Sequence, residues 1–539
     1  MNADNILRVH QSLKVMREPN QKVWDDCLFS YLPEMQNTGT TKIQGEQGQP
    51  LDLIGMNSLT KLSAGIFSNT VSMGDEFFGF KTNDPGLNKN ESVKRFFSKA
   101  AEIVLKQMQS SNYMLSTYEA ITYYCALNTA VQYVEYNNED GLVFNNFPIT
   151  GCSIAQDHLG KVNTLYREFK MSAAQAVGRW GERCSKEVVA AYESEQTRYQ
   201  EFEFVHAVMP REERDTKKID NENMPFASYY VDIANKHICE ESGYTSFPYA
   251  VPRFFKVGSE PYGRGPSFTC LPTFREICDL RSDISDGVKL LLQPPVFMPG
   301  TSGEDDIDLS PGAINFYNPA DGKPIFYTPT IDIERSRDYL MTLKDDIKDA
   351  FFVDVFKMLD DLKNMTATEV NERMAEKIQQ IVPVVSRLYE EFFSVMITRC
   401  FELLLDAEKI TDVPEELVGT DYKVEYTTKL DNRLKSLEIG QVLKTFQEIM
   451  VVAEALLAEP DLRNFFDIDK VYDIIAQGNN VDVDLVREEV ERSKLRKAEA
   501  EAKQKQQEAD QLASSMKPID AQQANAPGSI LNKMEEANA

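Results

Sequence analysis

Pro272-Thr273-Phe274-Arg275-Glu276-Ile277-Cys278-Asp279-Leu280-Arg281-Ser282-Asp283-Ile284-Ser285-Asp286-Gly287-Val288-Lys289-Leu290-Leu291-Leu292-Gln293-Pro294-Pro295 decides how the rest of this chain is read. Ile277, Leu280, Ile284, Val288 and Leu291 recur at helical spacing, while Asp279, Asp283 and Asp286 fall elsewhere on the cylinder. That predicts an amphipathic helix stopped by the proline pair. Residues 331–352 repeat the pattern, with Leu340, Leu343, Ile347 and Phe351 on one face and Asp338, Asp345 and Asp349 on another. Between them, residues 296–330 are rich in proline, glycine and aspartate and include Glu304-Asp305-Asp306 and Ile314-Asn315-Phe316-Tyr317. A helix, a small β-containing insert and a second helix are expected.

Upstream, apolar residues at helical spacing predict helices over 4–15, 22–31, 52–69, 90–111 and 115–128, with Leu59, Leu62 and Phe67 on one stripe. From 131 to 257 the texture is of β type, with a turn expected at Glu241-Ser242-Gly243 and a short helix opened by the capping box of Ser172 and Gln175. Downstream, a short segment over 353–365 precedes a second capping box, Thr366-Ala367-Thr368-Glu369. It opens a long helix to about Ala407 that Pro383 should kink. One strand over 422–427 and helices over 436–458, 468–477 and from 483 onward complete the chain; the last is almost wholly charged or polar from 487 to 510. Disorder is expected after Ser515. The fold class read from this order is α+β, predominantly helical.

At 539 residues the chain exceeds what one hydrophobic core organises. Hydrophobic residues at 42% and charged residues at 27% predict a folded, soluble protein. No signal peptide or spanning helix is expected, since the longest apolar run, 449–458, is broken by Glu454. Eight scattered cysteines without a Cys-x-x-Cys suit buried free thiols. A net charge of −27 argues against tight nucleic-acid binding through a basic face.

The search for chemistry returns structural readings. Gly160-Lys161 lacks the first glycine of a phosphate loop, where Ala155 stands, and Val162 follows the lysine. His10, His158, His206 and His237 form no ligand spacing. Asp306-Ile307-Asp308 begins like a calcium loop, but Gly312 comes one place late and Tyr317 takes the closing position. Gly151-Cys152-Ser153-Ile154-Ala155 lacks the final glycine of a nucleophile elbow. Neighbouring acids such as Asp345-Asp346 and Asp360-Asp361 point about 100° apart on a helix and read as solvated faces. No catalytic group, metal or cofactor is expected.

Several strings in order resemble the portal, or head-to-tail connector, proteins of short-tailed, podovirus-type bacteriophages. They are Gly55-Met56-Asn57-Ser58-Leu59 running on to Leu62-Ser63-Ala64-Gly65-Ile66-Phe67, the aromatic segment at Phe77-Phe78, and Ser111-Asn112-Tyr113 leading to Asn128-Thr129-Ala130. Glu260-Pro261-Tyr262-Gly263-Arg264-Gly265 is similar to the family's entry into its first tunnel helix, and Thr366-Ala367-Thr368-Glu369-Val370 to the start of its long kinked helix. The collinearity runs over roughly residues 1–510; one departure is Ala126, where a glycine is expected.

The resemblance implies a portal-type fold: wing (1–260), first stem helix (261–293), clip (294–330), second stem helix (331–352), tunnel-loop region (353–365), long kinked wing helix and return strand (366–435), helical crown with a C-terminal helix (436–515) and disordered tail (516–539). It implies no enzyme but a dodecameric ring at one capsid vertex of the virion, assembled in the host cytoplasm, for genome packaging and ejection. Implied partners are the major capsid protein and scaffold, the terminase large subunit, a tail adaptor, internal core or ejection proteins, and passing double-stranded DNA, with no membrane. By this mapping Phe356, Lys357, Asp360, Asp361, Lys363, Asn364, Lys289 and Lys344 face the tunnel, the lysines serving weak phosphate contacts or stem ion pairs. Glu304, Asp305, Asp306, Asp308, Phe316, Tyr317 and Tyr327 form the partner-docking clip, Pro383 the kink, and Thr366 and Glu369 the helix cap. The rival reading is an internal virion or scaffold-type assembly protein, suggested by the charged terminal helix.

Overall fold

The computed structural model describes residues 2–35, 50–71, 77–215, 220–300, 307–318, 333–360, 380–417 and 419–426, with a few isolated positions. The chain divides into two units, Met1–Leu434 and Lys435–Ala539, and the elements described belong to the first. The expected crown and tail lie outside the described residues.

Helix α1 (Ala3–Tyr31) is one continuous helix where two were expected, with Pro19 inside it. Proline interrupts one backbone hydrogen bond and costs a helix interior about 3 kcal/mol, so tertiary contacts must hold both halves. They do. Ile6 is fully buried with Tyr166, Val205 and Val231, while Trp24, Cys27 and Tyr31 enter the main core. Glu168 accepts from His10 at 2.7 Å and Lys14 at 2.8 Å. Burial alone would push its carboxyl up, but these partners bring it down to about 2.

Helix α2 (Ile54–Thr70), strand β1 (Phe78–Thr82), helix α3 (Glu91–Gln109) and helix α4 (Tyr113–Leu127) complete the helical third. Asn90 caps α3 through the Ser92 amide, and α4 ends on Asn128 in the left-handed region at φ 58°. Strands β2 (Val131–Asn137) and β3 (Gly141–Phe147) form a hairpin, followed by β4 (Cys152–Gln156) and β5 (Val162–Ser172). Helices α5 (Ala173–Trp180) and α6 (Lys186–Glu193) come next, α5 opened by the expected box of Ser172 and Gln175.

Strands β6 (Glu201–Pro210), β7 (Phe226–Asp232) and β8 (His237–Tyr244) complete an antiparallel five-stranded sheet in the order β4-β5-β6-β7-β8. Here the expected turn at Glu241-Ser242-Gly243 is corrected. Those residues lie inside β8, and the chain reverses before it, near Lys236 at φ 50°. Gly243 is there for close packing: a Cβ would stand 2.4 Å from the Asn221 carbonyl oxygen. His206, fully buried in β6, hydrogen-bonds Tyr249 Oη at 2.6 Å and Ser228 Oγ at 3.0 Å. Its burial beside Arg167 and Arg179 holds its pKa far below the ordinary value, so it is a neutral core residue.

Strands β9 (Tyr249–Ala250), β10 (Phe255–Lys256) and β11 (Gly263–Arg264) lead into helices α7 (Pro266–Thr269) and α8 (Leu271–Leu292). Arg253 lies in this stretch with 2% of its surface exposed. Its guanidinium meets Glu391 at 2.6 and 3.1 Å, Gln156 Oε1 at 3.0 Å and the Gly160 carbonyl at 2.9 Å. Strands β12 (Val296–Pro299) and β13 (Ile314–Tyr317) pair in parallel before helix α9 (Ile333–Ala350). Helix α10 (Val353–Asp360) then occupies what was expected to be loop.

The described part of the long helix runs through 380–388, widens into a π-turn at Tyr389–Phe393 and continues as α11 (Ser394–Asp406). Pro383 sits in helical backbone, and the break in α-geometry falls at the π-turn that presents Glu391. The helix before residue 380, with Thr366 and Glu369, lies outside the described residues. Strand β14 (Tyr422–Tyr426) returns to pair antiparallel with β1.

The glycines of Glu260-Pro261-Tyr262-Gly263-Arg264-Gly265 have a packing cause. A Cβ on Gly263 would stand 2.2 Å from the Asn128 carbonyl oxygen, and one on Gly265 would stand 2.2 Å from Asn128 Oδ1. Gly178 has open space at the same position. Gly263→Ala should therefore destabilise the chain by about 1–3 kcal/mol through overpacking, whereas Gly178→Ala should be neutral or stabilising by up to about 1 kcal/mol. Denaturant melts of the two variants beside wild type check this contrast.

Candidate functional site

Helices α8 and α9 pack together, and the insert carrying β12 and β13 joins their ends. Leu271, Phe274 and Ile277 of α8 and Leu343 and Ile347 of α9 are buried at the end near the main core. Tyr31 of α1 packs between Phe274 and Phe351, with ring centroids 5.7 and 5.4 Å away. The far end differs: Leu291, Leu292, Val296 and Phe316 are exposed. The apolar stripe therefore continues beyond what one chain covers.

The base of the pair is tied by Asp52, 2% exposed at the entrance to α2. Its Oδ2 accepts from Arg281 of α8 and Lys344 of α9, both at 2.7 Å, and its Oδ1 accepts the Ile54 amide at 2.9 Å. Burial pushes this carboxyl up, but the hydrogen bonds from Lys344, Ile54 and Arg281 outweigh it and hold the pKa below the ordinary value. One carboxylate thus fixes two helices to a third. Arg275 adds a link from α8 to Asp26 of α1 at 2.6 Å.

These contacts decide several expected roles. Lys344 is committed to Asp52, and Lys289 pairs with Asp286 one turn away at 2.8 Å on the exposed surface. Phe356, assigned to the tunnel, is corrected: only 9% exposed, it lies against Gly65 of α2, where a Cβ would stand 2.4 Å from its ring. An aromatic residue on the inner face of α10 is drawn into the core by the hydrophobic effect. Lys357 and Asp360 lie on the α10 backbone, while Asp361, Lys363 and Asn364 fall outside the described residues.

In the insert, Val296 faces Ile314 and Met298 faces Phe316 across the parallel pair, all four partly exposed on one side. Asn315, 7% exposed, clamps the insert through the Asp308 amide at 2.9 Å and the Asp308 carbonyl at 2.7 Å. The Asp308 carboxylate accepts the Ser310 amide at 2.8 Å, which keeps its pKa low and fits a turn residue. Tyr317 is half-buried, and Glu304, Asp305, Asp306 and Tyr327 lie outside the described residues. Among the described residues no group of three or more His, Cys, Asp or Glu could hold a metal ion, and no helix is long and apolar enough to cross a membrane.

Asp52, Glu391 and Arg253 were not singled out from sequence. A lone acid between Leu51 and Leu53 at a helix entrance was a usable signal for Asp52. Arg253 and Glu391 are far apart in the chain and carried none.

A family model described as bacteriophage head to tail connecting protein matches residues 3–486. The chain is 28% identical over 468 residues to a protein named probable portal protein from Bordetella phage BPP-1, covering 85% of this chain and 83% of that one. It is 24% identical over 434 residues to the portal protein of Salmonella phage epsilon15, covering 78% and 76%.

Asp52→Asn should lower stability at neutral pH by about 2–3 kcal/mol, the scale of losing charge-assisted hydrogen bonds to a buried group. Because the folded pKa of Asp52 is depressed, its contribution is complete above the unfolded value near ~3.9 and is lost as pH falls through the folded value. Melting curves of both proteins should differ most at about pH 6–7 and converge once pH drops below ~4.

Proposed function

The chain belongs to the bacteriophage head to tail connecting protein family, and from that premise we propose how this molecule serves as the portal between capsid and tail. Portal proteins are structural components of the virion, and this chain's work is assembly and passage. Copies close into a dodecameric ring at one capsid vertex, with α8 and α9 as stem, the insert between them as clip, residues 1–260 with the long helix as wing, and 436–515 as crown.

The observation that carries this reading is the helix pair pinned at one end by Asp52 and left apolar at the other, where Leu291, Leu292, Val296 and Phe316 are exposed. Exposed apolar surface on this scale marks an interaction site, and a ring of identical copies buries it through one repeated contact. Net charge supports passage. With 85 acids against 58 bases, the wall repels phosphates overall, and DNA slides where a basic wall would hold it through counterion release. Lys289, Lys357 and Lys363 are the cations available for brief phosphate contact near the channel; Lys344 serves the stem.

The clip, 294–330, is the platform for the terminase large subunit during packaging and for the tail adaptor afterwards. Its ends are held by the stem pair while its body projects. Glu304, Asp305, Asp306 and Asp308 supply a negative rim that steers a basic partner, and the apolar face of β12 and β13 supplies the contact. Capsid protein and scaffold meet the ring from outside, and internal core or ejection proteins meet the crown.

Native mass spectrometry and negative-stain images of the purified chain should show closed rings with a central channel. Only monomers at high concentration, even with scaffold present, would refute the assembly. Neutralising Glu304, Asp305, Asp306 and Asp308 together should leave rings intact and weaken adaptor binding, with a flatter salt dependence. Unchanged affinity and salt dependence would remove the rim from recognition.

A further inference from the structure

Helix α1 touches both ends of the described unit. Its first half belongs to the outer five-stranded sheet: Ile6 is buried against Tyr166, Val205 and Val231, Lys236 reaches Asp4 at 2.9 Å, and Glu168 holds His10 and Lys14. Its second half belongs to the core and the stem: Trp24 and Cys27 are fully buried, Asp26 holds Arg275 of α8, and Tyr31 packs between Phe274 and Phe351. The two anchorages share no residue.

Pro19 lies between them. Having no N–H, it leaves the Val15 carbonyl without its helical donor, and Val15 and Met16 are exposed at 57% and 64%. The same stretch lines a cleft of about 500 Å³ against β5, bordered by Lys14, Glu18, Gln21 and Lys170. A missing backbone bond and open space beside it coincide at the one place on the helix that neither anchorage covers. Proline is a recognised cause of helix bending, and hinges need only a few positions that absorb the change.

We propose that α1 is a two-segment strut hinged at Pro19, so that its first half moves with the outer sheet as one body while its second half stays with the core and the stem. Displacement of the stem then reaches the sheet as a bend at Pro19 and not as strain across the sheet. The hinge is a property of the single chain and does not depend on ring assembly.

Hydrogen–deuterium exchange of the full-length chain tests it, comparing wild type and Pro19→Ala with the sheet anchorage intact or loosened by Glu168→Gln. Loosening in the wild-type background should speed exchange of amides over 3–17 by tenfold or so, about 1.4 kcal/mol, and leave those over 22–31 within twofold. In the Pro19→Ala background, where the missing hydrogen bond is restored, the same loosening should spread to 22–31. Equal spreading in both backgrounds overturns the hinge, as does confinement to 3–17 in both. If Glu168→Gln fails to fold, Lys14→Gln, which removes a half-exposed partner of Glu168, gives a milder loosening with the same two outcomes.

Discussion

A guanidinium inside the protein sets the terms for much of the fold. Arg253 cannot leave its charge unpaired at 2% exposure, because an uncompensated buried charge costs several kcal/mol. It draws Glu391 from the long helix, Gln156 and the Gly160 carbonyl from the end of the sheet, and weakly the Pro261 carbonyl from the lead into α8. Three parts of the chain distant in sequence must meet at one point. The π-turn at Tyr389–Phe393 is where the helix deforms while presenting Glu391, and π-turns frequently occur where a helix presents a special residue.

The same logic recurs at smaller cost elsewhere. Asp52 collects Arg281 and Lys344, and Glu168 collects His10 and Lys14, each buried carboxylate joining elements that share little apolar contact at that point. Apolar packing alone is non-directional and leaves such angles loosely specified. A hydrogen-bonded charge at each junction fixes them. The acidic excess of the chain is compatible with this use of bases: several cations are committed inside to junctions, and the exposed faces of the stem keep their aspartates.

Glycines act at the other extreme of size. The left-handed Asn128 at the end of α4 turns its backbone toward the chain entering α7, and only glycine at 263 and 265 allows that approach. The Asn128 side chain then donates to Ser267 Oγ at 2.7 Å, locking the start of the helices beyond it. Gly65 does the same for Phe356 and so closes α10 onto α2. The short strings shared with the portal family are, in this chain, places where backbone or ring must come unusually close.

Local patterns were legible in the sequence wherever periodicity or a cap has a local cause. The α8 and α9 stripes, the Ser172 and Gln175 box, the strand over 422–426, the free cysteines and the helix–insert–helix order all rest on neighbours within a few turns. What failed was decided by distant contacts. Pro19 reads as a helix break until Ile6 and Trp24 are seen anchoring both sides, and Glu241-Ser242-Gly243 reads as a turn until Asn221 is seen pressing on Gly243. Phe356 reads as a loop residue until Gly65 receives it. The sequence by itself determined which segments are helices, which are strands and that the chain is acidic. Tertiary structure alone decided which charges are committed to junctions, because a buried charge declares itself only once the partners that surround it are in place.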